Sequence, residues 1–221
     1  MTTKNSSDSP ELLRAEDLRV EISGRPIVAG FSLAVRPGER VAIVGPSGSG
    51  KTTVLNALGL LSGIDAGEIR YSGQRVDDSS RRRRRRLYQG QVGFVIQDYA
   101  LIERWSIGDN VAAPLKARGI RGARRREGID EALATVGLAG READPVAGLS
   151  GGEKQRVAIA RLLAARPRIV LADEPTGSLD PENRDAVLDE LAALAEAGSG
   201  IVVVTHDPAV AEWTDRVVRL G

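Results

Sequence analysis

The stretch Gly45-Pro46-Ser47-Gly48-Ser49-Gly50-Lys51-Thr52 decides the fold, because it fits the pattern G-x-x-x-x-G-K-[ST] of a phosphate-binding loop. The residues before it, 40–44, form a short, mostly apolar run that is typical of a buried parallel strand. The residues after it, 53–61, carry valine and leucine at helical spacing. The order of strand, glycine-rich loop and helix therefore predicts a site for the phosphates of a nucleotide.

Each residue type in this loop suits phosphate binding for a separate reason. Glycines at 45, 48 and 50 let successive backbone N–H groups curl around a phosphate without Cβ clashes. The helix that follows adds the positive end of its dipole. We expect the Lys51 ammonium to reach the β- and γ-phosphates and the Thr52 hydroxyl to ligate Mg²⁺.

The bulk composition excludes several classes of function. The chain has 221 residues, enough for one α/β domain with a helical insertion. Its 31 basic and 30 acidic residues give a formal net charge of +1, so the chain as a whole is not drawn to nucleic acid or to an anionic membrane. The absence of cysteine excludes disulfides, zinc–thiolate sites and thiol nucleophiles. No stretch approaches the roughly 18 consecutive apolar residues of a membrane span, so we expect any membrane part to be another chain.

The order of predicted elements favours an α/β fold. Residues 1–10 are polar and rich in serine and threonine, which predicts a disordered leader before one domain at 11–221. Alternating apolar residues over 18–33 and turn signals over 67–73 predict an antiparallel β subdomain. Helical periodicity over 98–165, with a capping box at Ser106 and Asp109, predicts a helical subdomain inserted into a parallel α/β core.

Polar side chains follow the predicted buried strands of this core. One strand leads into the phosphate-binding loop, and three others are followed by Gln97, by Asp173-Glu174 and by His206. Ligands of parallel α/β sheets bind outside the carboxyl ends of the strands, so we expect these groups to meet. Asp173 would bind Mg²⁺ through water beside Thr52, and Glu174 would polarise the attacking water as a general base. Taken singly, a lone histidine or a polar strand end is more often structural; the shared position favours function.

Together these residues closely resemble the ATP-binding cassette family of ATPases. Leu149-Ser150-Gly151-Gly152-Glu153-Lys154-Gln155 matches the signature sequence that defines this family, and it opens a predicted helix with Ser150 as its cap. The resemblance covers roughly residues 16–221. It implies a P-loop NTPase fold with a RecA-like parallel sheet, an antiparallel β subdomain and a helical signature subdomain.

The resemblance also implies a role for each motif. Gly45–Thr52 is similar to the Walker A loop, Ile169–Asp173 to Walker B and Ser178-Leu179-Asp180 to the D-loop. The implied catalytic residues are Lys51, the Q-loop glutamine Gln97, the catalytic glutamate Glu174 and the switch histidine His206. The implied Mg²⁺ ligands are Thr52, Gln97 and Asp173. The implied ATP-binding residues are Gly45, Pro46, Ser47, Gly48, Ser49, Gly50, Lys51, Thr52, Thr53, Ser150, Gly151, Gly152 and Glu153.

The resemblance further implies partners. In the family, one chain's Walker loop and another chain's signature helix sandwich each nucleotide, so a homodimer with two hydrolytic sites is expected. The implied protein is a bacterial ATP-hydrolysing subunit on the cytoplasmic face of the membrane, powering a separate permease that contacts Gln97–Leu115. Two alternatives stay open: a soluble ATPase acting in translation or chromosome maintenance, and a regulatory module that signals through a membrane partner without moving a substrate. Binding to nucleic acid is not expected.

Shorter segments resemble one branch of the family, which releases lipoproteins and exports macrolides. These segments are Val92–Gln97, Asp109–Val111, Ala172–Asp180 and Thr205–Asp207. Gln97–Glu103 is also similar to exporters of bacteriocins or antimicrobial peptides. The branch implies export or the transmission of force rather than nutrient import.

Three features stand apart from these patterns. No aromatic residue occurs between Val20 and Val28, although family members usually stack an aromatic near Ile22 on adenine. Ile96, before Gln97, also replaces a usual aromatic. The six arginines Arg81–Arg86 are interpreted either as a solvated helix or turn, or as a patch for acidic lipid, RNA or an acidic partner. The balanced total charge and the lack of interleaved aromatic residues favour the solvated helix.

Overall fold

A computed structural model describes residues 10–77, 80–96, 98–177, 179 and 181–221. The strands are β1 Leu13–Ile22, β2 Arg25–Val35, β3 Arg40–Val44, β4 Ala66–Tyr71, β5 Gln74–Arg75, β6 Val92–Val95, β7 Ile169–Asp173, β8 Gly200–Val204 and β9 Arg216–Arg219. The helices are α1 Lys51–Leu58, α2 Arg81–Tyr88, α3 Ile107–Ala117, α4 Gly122–Thr135, α5 Gly151–Ala165, α6 Pro181–Glu196 and α7 Pro208–Trp213. The expected leader, apart from Pro10, lies outside the described residues, as do Gln97, Ser178 and Asp180.

The antiparallel layer has the strand order β2-β1-β4-β5. Strand β1 turns Leu13, Ala15, Leu18 and Val20 inward, and all four are buried. A register shift between Ala15 and Leu18 lets the strand keep apolar side chains on the buried face even though three positions separate them. The predicted antiparallel subdomain is confirmed.

The second sheet is parallel and has the order β6-β7-β8-β3-β9. Every residue of β8 is buried, as are the first four residues of β7, which is the pattern of strands covered on both faces. The carboxyl ends of β6, β7, β8 and β3 therefore lie side by side along one edge of the sheet. The predicted α/β architecture and the shared strand edge are confirmed.

Two apolar clusters cover the two faces of this sheet. The first joins α1 and the antiparallel layer to alternate residues of β7 and β8, such as Leu171 and Val202. The second packs α5 and α6 against the intervening residues, such as Val170 and Val203. Because side chains alternate along a strand, the helix that follows the phosphate-binding loop and the helix of the signature sequence lie in opposite layers.

Helices α3, α4 and α5 occupy the region predicted to be helical. The Ser106 side chain caps α3 by accepting from the Asp109 N–H at 3.1 Å. This half of the predicted capping box is confirmed; the Asp109 carboxylate hydrogen-bonds the Ser106 side chain and pairs with Lys116 at 2.6 Å. The six arginines form the helix α2, one of the two forms foreseen for them. Within the described ranges, no helix is both long and apolar enough to cross a bilayer.

Candidate active site

The phosphate-binding loop connects β3 to α1 in a backbone conformation that depends on its glycines. Gly48 and Gly50 have φ of 79° and 91°, in the left-handed region that glycine adopts without strain. A Cβ on Gly45 would collide with the carbonyl oxygen of Leu220, so only glycine fits there. The Lys51 ammonium folds back over the loop and donates to the carbonyl oxygens of Gly45 and Pro46 at 2.9 and 3.0 Å.

One polar atom inside the loop is left without a partner. The Ser49 hydroxyl oxygen is buried and makes no hydrogen bond within the described structure. An unpaired buried hydroxyl is costly, and such groups are usually satisfied by a ligand or water. A phosphate oxygen in the loop would satisfy this hydroxyl, so the residues present fit a nucleotide phosphate group.

Asp173 closes β7 next to the first turn of α1. Burial raises the pKa of the Asp173 carboxyl above its usual range, and a hydrogen bond with the Thr52 hydroxyl opposes that rise. A hydroxyl and a carboxylate are oxygen ligands of the kind that Mg²⁺ prefers, with water and phosphate completing the shell. Among the described residues, no three histidine, aspartate or glutamate side chains cluster tightly enough to hold a metal by themselves. The donor set fits a magnesium ion shared with a nucleotide.

Glu174, the next residue, is held by groups from the end of β8. Its backbone has φ of 44°, unusual for a residue with a side chain, and its N–H donates to the Val204 carbonyl at 2.9 Å. One carboxylate oxygen lies 2.6 Å from His206 Nδ1, and the other accepts from the Thr205 hydroxyl at 3.2 Å. The carboxylate therefore stands in a fixed position at the strand edge.

His206 is the exposed partner in this pair. Its side chain is 74% exposed, whereas that of Glu174 is 20% exposed. The hydrogen bond to Glu174 raises the pKa of His206 above its ordinary value. An exposed imidazole on a short tether can leave the carboxylate and turn toward an incoming anion. The role of Thr205 was missed in the sequence, since a threonine within a β-branched strand gives no signal of its own.

The signature sequence forms the amino end of α5 in the opposite layer. Ser150 accepts from the Glu153 N–H at 3.3 Å, and Glu153 accepts from the Ser150 N–H at 2.9 Å, which completes a capping box. Arg141 adds a contact of 2.5 Å to the Glu153 carboxylate. This ion pair, together with the hydrogen bonds that the Ser150 N–H and the Ser150 hydroxyl donate to the carboxylate at 2.9 Å, lowers the pKa of Glu153 to about 2. The predicted Ser150 cap is confirmed, and Arg141 is a support that the sequence did not reveal.

The segment after position 97 is fastened to the same helix. Tyr99 and Ala100 adopt φ of 59° and 47°, and their carbonyl oxygens accept from the Arg161 guanidinium at 2.9 and 2.6 Å. The Tyr99 hydroxyl lies beside Gly151, where an added Cβ would come within 3.3 Å of it. Burial lowers the pKa of Arg161. Segment 98–100 is thereby tied to both halves of α5.

A shallow cleft of about 360 Å³ opens beside the first turn of α1, at Thr53. Ile22 lines it with its side chain 53% exposed, at the position where the sequence lacks an aromatic residue. An exposed branched aliphatic side chain next to a phosphate-binding loop offers an apolar contact to a nucleotide base but no ring for stacking.

The structure thus groups the predicted residues into two sets. The strand edge collects the loop with Lys51 and Thr52, then Asp173, Glu174 and His206. The residues Ser150–Glu153 lie at the start of α5, in the other layer. Gln97, Ser178 and Asp180 fall outside the described residues.

Comparisons with known proteins agree with this geometry. A profile of the family described as ABC transporter matches residues 28–177. The chain is 43% identical over 197 residues to the lipoprotein-releasing system ATP-binding protein LolD of Maricaulis maris, covering 89% of this chain and 86% of that one. It is also 43% identical over 194 residues to the macrolide export ATP-binding/permease protein MacB of Chromobacterium violaceum; that match covers 88% of this chain but only 30% of MacB.

Solved structures support the same assignment. The dimeric structure of MJ0796, a bacterial ABC transporter cassette, superposes with a TM-score of 0.85 at 35% identity, covering 94% of each chain. A dimeric post-hydrolysis state of the same cassette, bound to ADP and Pi, matches equally well. The predicted recognition is confirmed: this chain belongs to the ABC transporter family, as one of its ATP-hydrolysing cassettes.

Proposed function

We propose that the chain hydrolyses MgATP at the strand edge, within a homodimer, to drive a separate membrane permease. The observation that carries this proposal is the placement of Glu174. Its carboxylate closes a buried strand beside Asp173, is held by Thr205 and His206, and stands on the same edge as the phosphate-binding loop. This is the arrangement that a general base for water attack on a bound phosphate requires.

The loop binds the phosphates of ATP. Its backbone N–H groups and the Ser49 hydroxyl donate to phosphate oxygens, and the Lys51 ammonium exchanges its two carbonyl contacts for β- and γ-phosphate oxygens. The nearby apolar side chain of Ile22 contacts the base. Because the ammonium is already poised over the loop, binding requires only a local change of partners.

Thr52 and Asp173 hold the magnesium ion, with Gln97 as a third proposed ligand. The ion supplies charge neutralisation for the phosphate oxygens. Coordination requires an ionised Asp173, and burial works against that form until a cation is bound. The hydrogen bond with Thr52 orients the Asp173 carboxylate toward the site.

Glu174 accepts a proton from the attacking water. The water oxygen bonds to the γ-phosphorus, the bond from that phosphorus to the bridging oxygen breaks, and ADP and inorganic phosphate leave. In the structure the His206 imidazole occupies one Glu174 oxygen. We propose that His206 turns to the γ-phosphate when ATP binds, which frees that oxygen for water.

The second half of the site comes from a second chain. The phosphate loop and the start of α5 belong to opposite layers of one subunit, so a chain does not fold its own signature helix onto its own loop. A head-to-tail pair places Ser150 and the free N–H groups of one α5 on the γ-phosphate held by the other subunit. The dimeric forms of the similar MJ0796 cassette support this arrangement.

The permease contacts the region Gln97–Leu115, on the cytoplasmic face of the membrane. Segment 98–100 is fastened to α5 by Arg161, so a push on this segment is passed to the signature helix. The similarity to LolD and MacB supports a role in export or the transmission of force. The narrower resemblance to exporters of antimicrobial peptides remains a prediction, and no observation favours a purely regulatory cassette.

Replacing Glu174 with glutamine tests the proposal. Removal of a general base typically lowers the rate by about 10²–10⁴-fold, so hydrolysis should fall in that range while ATP binding is retained. Phosphate release and binding of a fluorescent ATP analogue measure the two effects. The matched control is Glu127→Gln on the exposed side of α4, which should hydrolyse at the wild-type rate. Hydrolysis by Glu174→Gln at the wild-type rate would refute the assignment.

A further inference from the structure

The helix α2 displays six arginines to solvent. Arg81–Arg86 are all exposed, and the helix is held to the protein by its last two residues. Leu87 is buried, and the Tyr88 hydroxyl donates to the Gly59 carbonyl at 2.7 Å. Like charges three and four positions apart on a helix destabilise it, so these side chains do not serve the stability of α2. An anionic partner outside the subunit would offset the repulsion among the outward arginines.

Three of the arginines form one outward group. At about 100° of rotation per residue, Arg82, Arg85 and Arg86 each turn at least about 100° away from Leu87, as does Arg81, and Arg82 lies three and four positions before the other two. Arg83 instead turns toward β5 and donates to the Gln74 side chain at 3.4 Å. Among the residues that the structure describes, no carboxylate lies in ion-pair contact with Arg82, Arg85 or Arg86. We call these three side chains the basic face.

A second arginine-rich stretch adjoins the basic face. The Gln89 side chain donates to the Ala117 carbonyl at 2.9 Å, which joins the end of α2 to the end of α3. Arg118 and Arg121 follow directly, and Arg124–Arg126 open α4. Residues 81–126 hold 13 of the chain's 31 basic residues and three of its 30 acidic ones. A chain of almost neutral total charge therefore has one strongly basic region.

The character of the basic face selects among anionic partners. Single-stranded nucleic acid needs aromatic platforms, but the Tyr88 ring packs against Phe94 at 6.0 Å and its hydroxyl is engaged. A stable protein interface needs an apolar centre, and the outward side of α2 has none. Binding to an anionic bilayer requires only several exposed cations on one surface, and the basic face has three.

We propose that the basic face binds the anionic headgroups of the inner membrane surface beside the permease. This inference rests on the proposed permease contact in one respect, which is the side of the cassette that faces the membrane. Helix α3 lies largely within the proposed permease-contact region and ends at Ala117, where Gln89 joins it to α2, so α2 is expected near the same membrane surface. The membrane contact would keep the cassette at the bilayer when the permease interface loosens during the ATP cycle. It also explains why the arginines are gathered rather than dispersed.

Vesicle co-sedimentation of the purified chain tests this inference. The probes are vesicles of phosphatidylcholine alone and vesicles with about 30% phosphatidylglycerol, at roughly 0.05 and 0.15 M salt. The variant Arg82→Gln/Arg85→Gln/Arg86→Gln is compared with the control Arg14→Gln/Arg19→Gln/Arg70→Gln. The control removes the same charge from the antiparallel sheet, where each of these arginines has a carboxylate partner.

We expect the wild type to bind the anionic vesicles, more weakly at the higher salt, and not the neutral ones. A basic residue near an anionic bilayer raises partitioning roughly fivefold, so the triple variant should lose at least about tenfold while the control stays near the wild type. ATP hydrolysis should be unchanged in both variants, which separates this inference from the proposed catalytic site.

Three results would overturn the inference. Equal binding of the wild type to neutral and anionic vesicles would remove the charge argument. An equal loss in the two triple variants would assign the effect to total charge. Retention of duplex or single-stranded RNA at about 0.15 M salt, without vesicle binding, would make nucleic acid the ligand of this face instead.

Discussion

The phosphate-binding loop and the amino end of α5 both offer backbone N–H groups to an anion. They differ in whether their side chains already have hydrogen-bond partners within the chain. In the loop, the Ser49 hydroxyl is buried without a partner and Lys51 rests on two carbonyl oxygens. At the start of α5, Ser150 and Glu153 cap each other and Arg141 fixes the carboxylate. The Ser49 side chain in the loop has no partner, whereas the Ser150 and Glu153 side chains at the α5 terminus are fully paired within one chain and leave only backbone N–H groups to offer.

This difference indicates how the two halves divide the work. The loop binds nucleotide in a single subunit, because its unpaired groups gain partners only when phosphate arrives. The α5 terminus contributes a rigid, pre-organised surface to a nucleotide that another subunit already holds. Changes in the loop should therefore abolish binding, while changes at the α5 terminus should spare binding and affect only later steps.

The largest expected effect is a loss of ATP affinity in Lys51→Met. The ammonium lies over the loop, bonded to the Gly45 and Pro46 carbonyl oxygens, and its contacts to phosphate are charge-assisted. Two lost charge-assisted hydrogen bonds should weaken ATP binding by about 100-fold. Isothermal titration of the purified subunit with ATP measures the change. Lys116→Met, which removes a lysine paired with Asp109 on α3, should bind ATP like the wild type.

A smaller and different effect is expected from Ser150→Ala. The loss of one helix cap costs about 1 kcal/mol of unfolding free energy, so the fold should survive. ATP affinity of the monomer should be unchanged, whereas the hydrolysis rate should fall by roughly tenfold or more because a γ-phosphate contact is lost. Ser106→Ala is the matched control, since Ser106 caps α3 in the same way. Equal losses of rate in the two variants would mean that the cap acts only through stability.

The smallest expected effect is a pH dependence of the stability that Glu153 contributes at the α5 terminus. The contacts of Glu153 lower its folded-state pKa to about 2 from 4.5. A lowered pKa adds stability above the unfolded value, and this contribution is lost as the pH falls through the folded value. The stability difference between the wild type and Glu153→Gln should therefore shrink as the pH falls from about 5 toward about 2, as chemical denaturation would show. A difference that stays constant over this range would contradict the assigned ion pair.

The sequence predicted the strand edge well because its signals are local. Each functional group there follows a mostly apolar, buried run, so strand ends and polar positions can be identified together, as at Asp173 and His206. The supports could not be predicted, since they depend on distant partners: Thr205 is 31 residues from Glu174, and Arg161 is 61 residues from Ala100. At Asp109 the sequence predicted the hydrogen bond from its N–H to Ser106 but not the ion pair of its carboxylate with Lys116, seven positions along the chain.

The phosphate-binding loop of one subunit and the α5 terminus of another are proposed to complete one site. The most direct measurement is size-exclusion chromatography with light scattering on Glu174→Gln, with and without ATP and Mg²⁺. We expect a monomer without nucleotide and a dimer with it, and Ser150→Ala introduced into the same variant should weaken that dimer. A Glu174→Gln chain that binds ATP and remains a monomer would contradict the shared site.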